Sequence, residues 1–145
     1  MDAMKKSDIQ RFEAILKKNN NHLTKARLVT FSLLFSPQPQ TIQQIQAKAK
    51  GKIDRVSVYR NIELFEKLGI VQRSYVGWKY KLELSDKFLE HHHHLNCLNC
   101  GRIIDVTDEE AIEKFIDYLA DEFDFKPIRH HFEVDGYCSN CRNSA

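Results

Sequence analysis

The chain has 145 residues, 42% hydrophobic and 29% charged, which gives room for one domain or two small ones of globular type. Five Gly and three Pro argue against long disordered tracts, no apolar run approaches the ~18 residues of a membrane span, and Met1 to Lys6 carries no signal-peptide pattern. The net charge of +2 hides an asymmetry: residues 1–90 hold 17 Lys and Arg against 9 Asp and Glu, whereas residues 91–145 hold 5 against 11. A basic half suits a polyanion such as DNA, through phosphate contacts and counterion release. An acidic half rich in His suits cations.

Ser7 is expected to cap a first helix with Ile9, Phe12, Ile15 and Leu16 on one face, ended by Lys17, Lys18 and three Asn. Thr24 reads as the next N-cap, ahead of Leu28, Phe31, Leu34 and Phe35 at helical spacing, with Ser36-Pro37 as the stop. Lys25 and Arg27 fall in its first turn, where positive charge opposes the helix dipole. Phosphate contact is a motive for placing them there; a solvated face is the plain alternative. Thr41 starts a third helix, with Ile42, Ile45 and Ala49 inward and Gly51 at its end. Asp54 caps a fourth, running to Leu68-Gly69, with Val58, Ile62, Phe65 and Leu68 on the buried face. Arg55, Ser57, Tyr59 and Arg60 lie largely off that face, in the first two turns.

Short helices followed by a polar, basic helix start describe a helix-turn-helix, whose recognition helix enters the major groove by its N-terminal residues. Ile70 to Val76 and Trp78 to Leu84 then alternate apolar and polar residues around Gly77, the pattern of a β-hairpin wing. A helical bundle with an attached ribbon is the alternative. The expected division is a winged-helix domain over 1–84, a hinge over 85–90 and a small α/β domain over 91–145, an α+β chain overall.

In the second half, Arg102 to Thr107 reads as a strand, and Asp108, Glu109 and Glu110 open a helix whose buried stripe is Ile112, Phe115, Ile116, Leu119 and Phe123. Pro127 is the expected break, Ile128 to Val134 a further strand and Asp135-Gly136 a turn. A unit of about 55 residues is short for a self-sufficient core. A structural metal, a partner subunit, or both should make up the difference.

The chemistry concentrates in His91-His92-His93-His94-Leu95-Asn96-Cys97-Leu98-Asn99-Cys100-Gly101. Thiolates and imidazoles are the ligands that borderline transition metals prefer. All four cysteines fall in two Cys-x-x-Cys pairs, Cys97/Cys100 and Cys138/Cys141, with 37 residues between them, able to wrap one tetrahedral zinc. In the cytosol, the expected address, such pairs read as metal sites before disulfides; a redox dithiol pair is the rival. On a strand, neighbouring side chains point to opposite sides. His91 and His93 would then face one way and His92 and His94 the other, feeding two metal sites. Further acids and imidazoles at element ends are Glu83, Asp105, Glu113, His130 and His131. A solvated polyhistidine loop is the bland alternative.

Over roughly residues 8–142 the chain resembles the ferric uptake regulator family of bacterial metal-sensing repressors. Thr24-Lys25-Ala26-Arg27, Asp54 to Arg60 with Leu68 to Val71, His91 to Gly101, and Gly136 to Cys141 carry the resemblance. It implies an N-terminal winged helix that binds double-stranded operator DNA and a C-terminal domain that forms a homodimer. It implies DNA contacts by Lys25, Arg27, Arg55, Ser57, Tyr59 and Arg60, and structural Zn2+ on Cys97, Cys100, Cys138 and Cys141. A hinge-side sensing site is implied at Glu83, His92, His94 and Asp105, and a site inside the dimerisation domain at His91, His93, Glu113 and His130. The family's usual His before Thr41 is replaced by Pro39-Gln40, which bears on how the hinge-side site is tied to the DNA-binding domain. His93 stands where iron-sensing members often have Asp, so the site leans towards nitrogen ligation and zinc. Asp105 is a residue type seen in peroxide-sensing members.

The expected function is therefore a cytoplasmic, metal-responsive repressor of iron or zinc homeostasis genes, with Fe2+ or Zn2+ as regulatory ion and Mn2+ as a further candidate. Neither a membrane nor a small-molecule substrate is expected as partner, and no enzymatic activity. The alternatives are a peroxide-sensing member of the same family and, from another class, a zinc metalloenzyme using three His and a Glu.

Overall fold

The computed structural model describes residues 3–107 and 110–143. They form two compact units, Met1–Glu90 and His91–Ala145.

The first unit is four helices and a hairpin: α1 (Lys6–Lys18), α2 (Lys25–Leu33), α3 (Ile42–Ala49), α4 (Arg55–Lys67), β1 (Val71–Val76) and β2 (Lys79–Leu84). Local side-chain chemistry sets most helix starts. The Thr24 hydroxyl accepts from Arg27 N at 3.2 Å, Thr41 from Gln44 N at 3.1 Å, and the Asp54 carboxylate from Ser57 N at 2.9 Å. At Thr41 the Gln44 side chain accepts in return from Thr41 N, closing a capping box. The first helix departs from expectation. It starts at Lys6, so Ser7 lies inside it, and Asp8 accepts from Lys5 N at 2.8 Å in place of a hydroxyl cap.

Phe12 and Phe31 stack at 4.1 Å, Phe65 meets Phe12 edge-on at 5.2 Å, and Phe88 meets Phe31 at 4.9 Å. Leu16, Ile45, Val58, Ile70 and Leu84 complete the fully buried core. Each such side chain contributes roughly 1.5–3 kcal/mol by burial. Deeper in, Asn61 Nδ2 donates to Thr30 Oγ1 at 2.9 Å, satisfying two buried polar groups at once.

Gly69 (φ 65°) takes the left-handed conformation that ends α4, and Gly77 (φ 61°) the one that closes the hairpin. The hairpin register runs from Val71↔Leu84 to Val76↔Lys79. Residues 85–90, expected as a hinge, are packed onto this unit. Ser85 Oγ donates to Gly69 O at 2.7 Å, Lys87 Nζ to Leu68 O at 3.0 Å, and the Arg11 guanidinium to Lys87 O.

The second unit comprises β3 (His93–Cys97), β4 (Ile103–Val106), α5 (Glu110–Glu122) and β5 (Glu133–Gly136). β3 lies centrally, antiparallel to β4 and parallel to β5. Three expectations shift here. The last strand is Glu133–Gly136, so Ile128 to Phe132 precede it, and Asp135-Gly136 pair with Asn96 and Cys97 instead of turning. The helix ends at Glu122, ahead of Pro127, with Asp124 in the left-handed region (φ 46°). Its apolar stripe is not buried: Phe115 is 60% exposed and Phe123 73%. Asp108 and Glu109, expected at the helix start, lie outside the described residues. Among the described residues, the buried apolar cluster of this unit is Cys97, Cys138 and Cys141. No helix among the described residues is long and apolar enough to cross a membrane.

Candidate metal centres and nucleic-acid face

β3 runs from the histidines at one end to Cys97 at the other. At the cysteine end, Gly101 N donates to Cys97 O at 2.9 Å and Cys141 N to Cys138 O at 2.9 Å, so each Cys-x-x-Cys pair folds into a tight turn. Pairing of Cys97 with Gly136 across β3 and β5 brings the two turns together. Cys100 Sγ and Cys138 Sγ stand 3.8 Å apart. A tetrahedral zinc with bonds of about 2.3 Å separates its thiolates by roughly 3.8 Å, so the donor set fits that ion. Backbone N–H groups of Cys100 and then Cys138 hold the Cys97 thiol down to about 6. Cys141 gains a lowering hydrogen bond from Asn99, but the neighbouring Cys138 thiol, burial and the other cysteines push it up to about 11. One thiolate formed in the cluster makes the next harder to form, a cost that a bound cation removes.

At the other end of β3, alternate imidazoles part company as a strand requires. His91 Nε2 lies 2.9 Å from His130 Nε2 and 3.4 Å from Glu113 Oε1; that oxygen is 3.5 Å from His93 Nε2 and 2.9 Å from His130 Nε2. Nitrogen and oxygen ligands on a tetrahedral ion at about 2.0–2.1 Å sit roughly 3.3 Å apart. Three imidazoles and one carboxylate from three separate segments therefore match one ion's coordination shell. His92 and His94 meet edge-on, apart from this group, with ring centroids 4.8 Å apart. His94 Nε2 faces Asp105 Oδ1 at 3.5 Å, its cross-strand neighbour on β4.

Of the sequence-derived ligands, His91, His93, Glu113 and His130 converge, the four cysteines converge, and His94 meets Asp105. His131 is exposed and joins neither group. Glu83 stands on β2 of the first unit, accepting from Gln72 Nε2 at 3.0 Å. A residue not anticipated is Glu133, whose Oε1 lies 3.5 Å from His94 Nδ1. The parallel register His94↔Glu133 puts it there, and a residue pairing between strands 39 positions apart leaves no local mark in a sequence.

The position before Thr41 is also occupied structurally. Gln40 pairs with Leu82 of β2 through both backbone groups, and its Nε2 donates to Leu33 O at 2.9 Å. Its Oε1 accepts from Lys48 Nζ. Gln40 thus staples the hairpin to the helices.

On the first unit, α4 buries Val58, Asn61, Ile62 and Phe65. Its other side, with Arg55, Val56, Tyr59, Arg60 and Glu63, lines a groove of about 690 Å3 against the hairpin. There Glu66 binds Arg73 Nε at 2.5 Å and holds its guanidinium above the ordinary value, while Arg73 lies 4.2 Å over the Tyr80 ring. Tyr59 is 55% exposed beside Arg60. Two expected DNA contacts also bond within this unit. Ser57 Oγ donates to Asp54 Oδ2 at 2.6 Å, and Arg27 donates to His22 O at 2.5 Å and Asn21 Oδ1 at 3.2 Å. Lys25 remains an exposed cation at the start of α2.

Residues 14–135 match the ferric uptake regulator family. The chain belongs to that family. It is 30% identical over 142 residues to the ferric uptake regulation protein of Campylobacter jejuni, covering 93% of this chain and 88% of that one. With the Legionella pneumophila protein of the same description it shares 32% over 129 residues, 88% and 83% of the two chains. Among solved structures, the Helicobacter pylori ferric uptake regulator, described as having three functional metal-binding sites, superposes with a TM-score of 0.80 at 26% identity, covering 98% of this chain and 97% of that one. The Vibrio cholerae regulator, whose DNA-binding domains rearrange, gives 0.71 at 28% identity over 88% and 99%. This chain is accordingly a metal-responsive, DNA-binding regulator of transcription.

Proposed function

We propose that this regulator is a dimeric cytoplasmic repressor of iron or zinc homeostasis genes, switched by Fe2+ or Zn2+ (with Mn2+ as a further candidate) and held together by structural Zn2+ on Cys97, Cys100, Cys138 and Cys141. The observation that carries it is the sorting of the His run. His91 and His93 meet Glu113 and His130 at the spacing of one coordination shell, while His92 and His94 turn to a second group with Asp105.

A bound divalent ion supplies a positive centre that several neutral and anionic side chains satisfy together. His91 and His93 contribute from β3 and the residue pair before it, Glu113 from α5, and His130 from the segment before β5. Their shared demand fixes α5 against the sheet. The exposed face of α5, with Phe115, Leu119 and Phe123, is the surface that a second copy covers. By family resemblance Glu83 joins His92, His94 and Asp105, which gives the wing a stake in the second site. These ligands change DNA affinity only if they hold the ion more tightly in the DNA-competent arrangement. Arg55, Tyr59 and Arg60 then read the operator, and Lys25 holds phosphate. The third imidazole at His93 favours zinc over iron in the α5 site. Asp105, a residue type seen in peroxide-sensing members, favours a second reading, a peroxide-sensing regulator of the same family.

Fluorescence anisotropy on a duplex selected from a random-sequence library tests the reading. DNA binding that weakens with salt and is lost in Arg60→Ala supports it. Salt-independent binding, or Arg60→Ala binding as wild type, contradicts it.

A further inference from the structure

Val56 sits in the first turn of α4 and is 57% exposed. A single exposed apolar side chain is ordinary on any protein surface. Val56 is set apart by its company. Val56, Tyr59, Arg60 and Glu63 stand at i, i+3, i+4 and i+7, one stripe of the helix, and all four line the same open groove. The opposite stripe, Val58, Ile62 and Phe65, holds the helix to the core, so this face is locked outward. Valine is β-branched and has one strongly preferred rotamer in a helix, which holds its two methyls rigidly. At an exposed helix position it also forms helix less well than alanine. Arg55 and Arg60 line the groove with it, alongside Glu63 and Glu66, so the two stiff methyls stand beside guanidinium groups able to meet DNA.

We propose that Val56 is a specificity-determining residue that packs on the C5 methyl of a thymine in the operator, beside the contacts of Tyr59 and Arg60. The thymine methyl is the one apolar group on a base edge in the major groove, and a residue in the first turn of a recognition helix is placed to reach it. The inference rests on the reading that α4 enters the major groove.

The experiment uses the full-length, metal-loaded protein and duplexes recovered by wild type from a random library. Each thymine is replaced singly by deoxyuridine, which removes only the methyl. At one position per half-site, wild type is expected to lose about fourfold in affinity, the worth of one buried methyl. Val56→Ala, present in both protomers, is expected to bind the unsubstituted duplex more weakly by about the square of that factor, and to show no further loss at that position. Val56→Thr, which keeps the branched shape and replaces one methyl with a hydroxyl, is expected to fall between. Val56→Ala binding as wild type, or every uracil loss persisting undiminished in it, overturns the proposal while leaving DNA binding intact. Failure of wild type to select any duplex overturns the DNA-binding reading itself.

Discussion

Stripping metal from the four cysteines is expected to unfold the second unit and spare the first. In the first unit, Phe12, Phe31 and Phe65 anchor a continuous core. In the second, the buried apolar cluster among the described residues is three of the four cysteines, and α5 buries none of its described side chains. At ~0.05–0.15 kcal/mol per residue, a unit of about 55 residues has roughly 3–8 kcal/mol of stability in all. A structural zinc of this type is worth about 10–16 kcal/mol in apparent terms near neutral pH. Losing it exceeds everything the unit has, even with part of the effect offset by dimer contacts. Hydrogen exchange, resolved by segment, measures this on full-length protein treated with a strong chelator under reducing conditions. Amides of β3 and β4 should lose protection while those of α1 to α4 keep theirs. Unchanged protection over residues 93–106, with elemental analysis confirming metal loss, would refute the argument.

Zinc loading at the cysteines should release protons, because Cys97 is already held down to about 6 while Cys141 is pushed up to about 11. Apparent zinc affinity therefore rises with pH and falls as acid protonates the ligands, measurable by chelator competition between pH 6 and 8. Thr41→Ala removes the cap hydroxyl and should cost about 1 kcal/mol, lowering the first unit's melting temperature by a few degrees; calorimetry showing no shift would mean that the box contributes nothing. Phe123→Asp puts a charge on the exposed ring that follows the end of α5 and should convert dimer to monomer in sedimentation, with the helix content unchanged.

Much of the architecture was legible because its determinants are local. Thr24, Thr41 and Asp54 each bond a backbone N–H three residues on, and a short polar side chain before an apolar period announces that. Ser7 misled because the cap is made by Asp8 reaching back to the backbone of Lys5. The alternation of His91 to His94 was readable from strand geometry, and so was the pairing of the cysteines. The further partner of His94 was not, since Glu133 is placed by a parallel register. The stripe of α5 was read as buried; its period records that something covers it, and period alone does not distinguish the same chain from a second copy. Residues 85–90 look like a linker in composition, yet Phe88 packs on Phe31. Ser57 and Arg27 carry the residue types of DNA contacts, and their hydrogen bonds within the unit, to the cap of α4 and the turn before α2, leave no mark in a sequence.

The central claim is that metal at the His91–His94 strand governs DNA binding. The most direct test holds zinc at the four cysteines and titrates Fe2+, Mn2+ or Zn2+ anaerobically while anisotropy reports binding to the selected duplex, for wild type, His92→Ala and His130→Ala. Wild type is expected to gain at least tenfold in affinity with one of these metals, a gain that His92→Ala reduces or abolishes. Equal DNA affinity with and without metal in the wild type would contradict it.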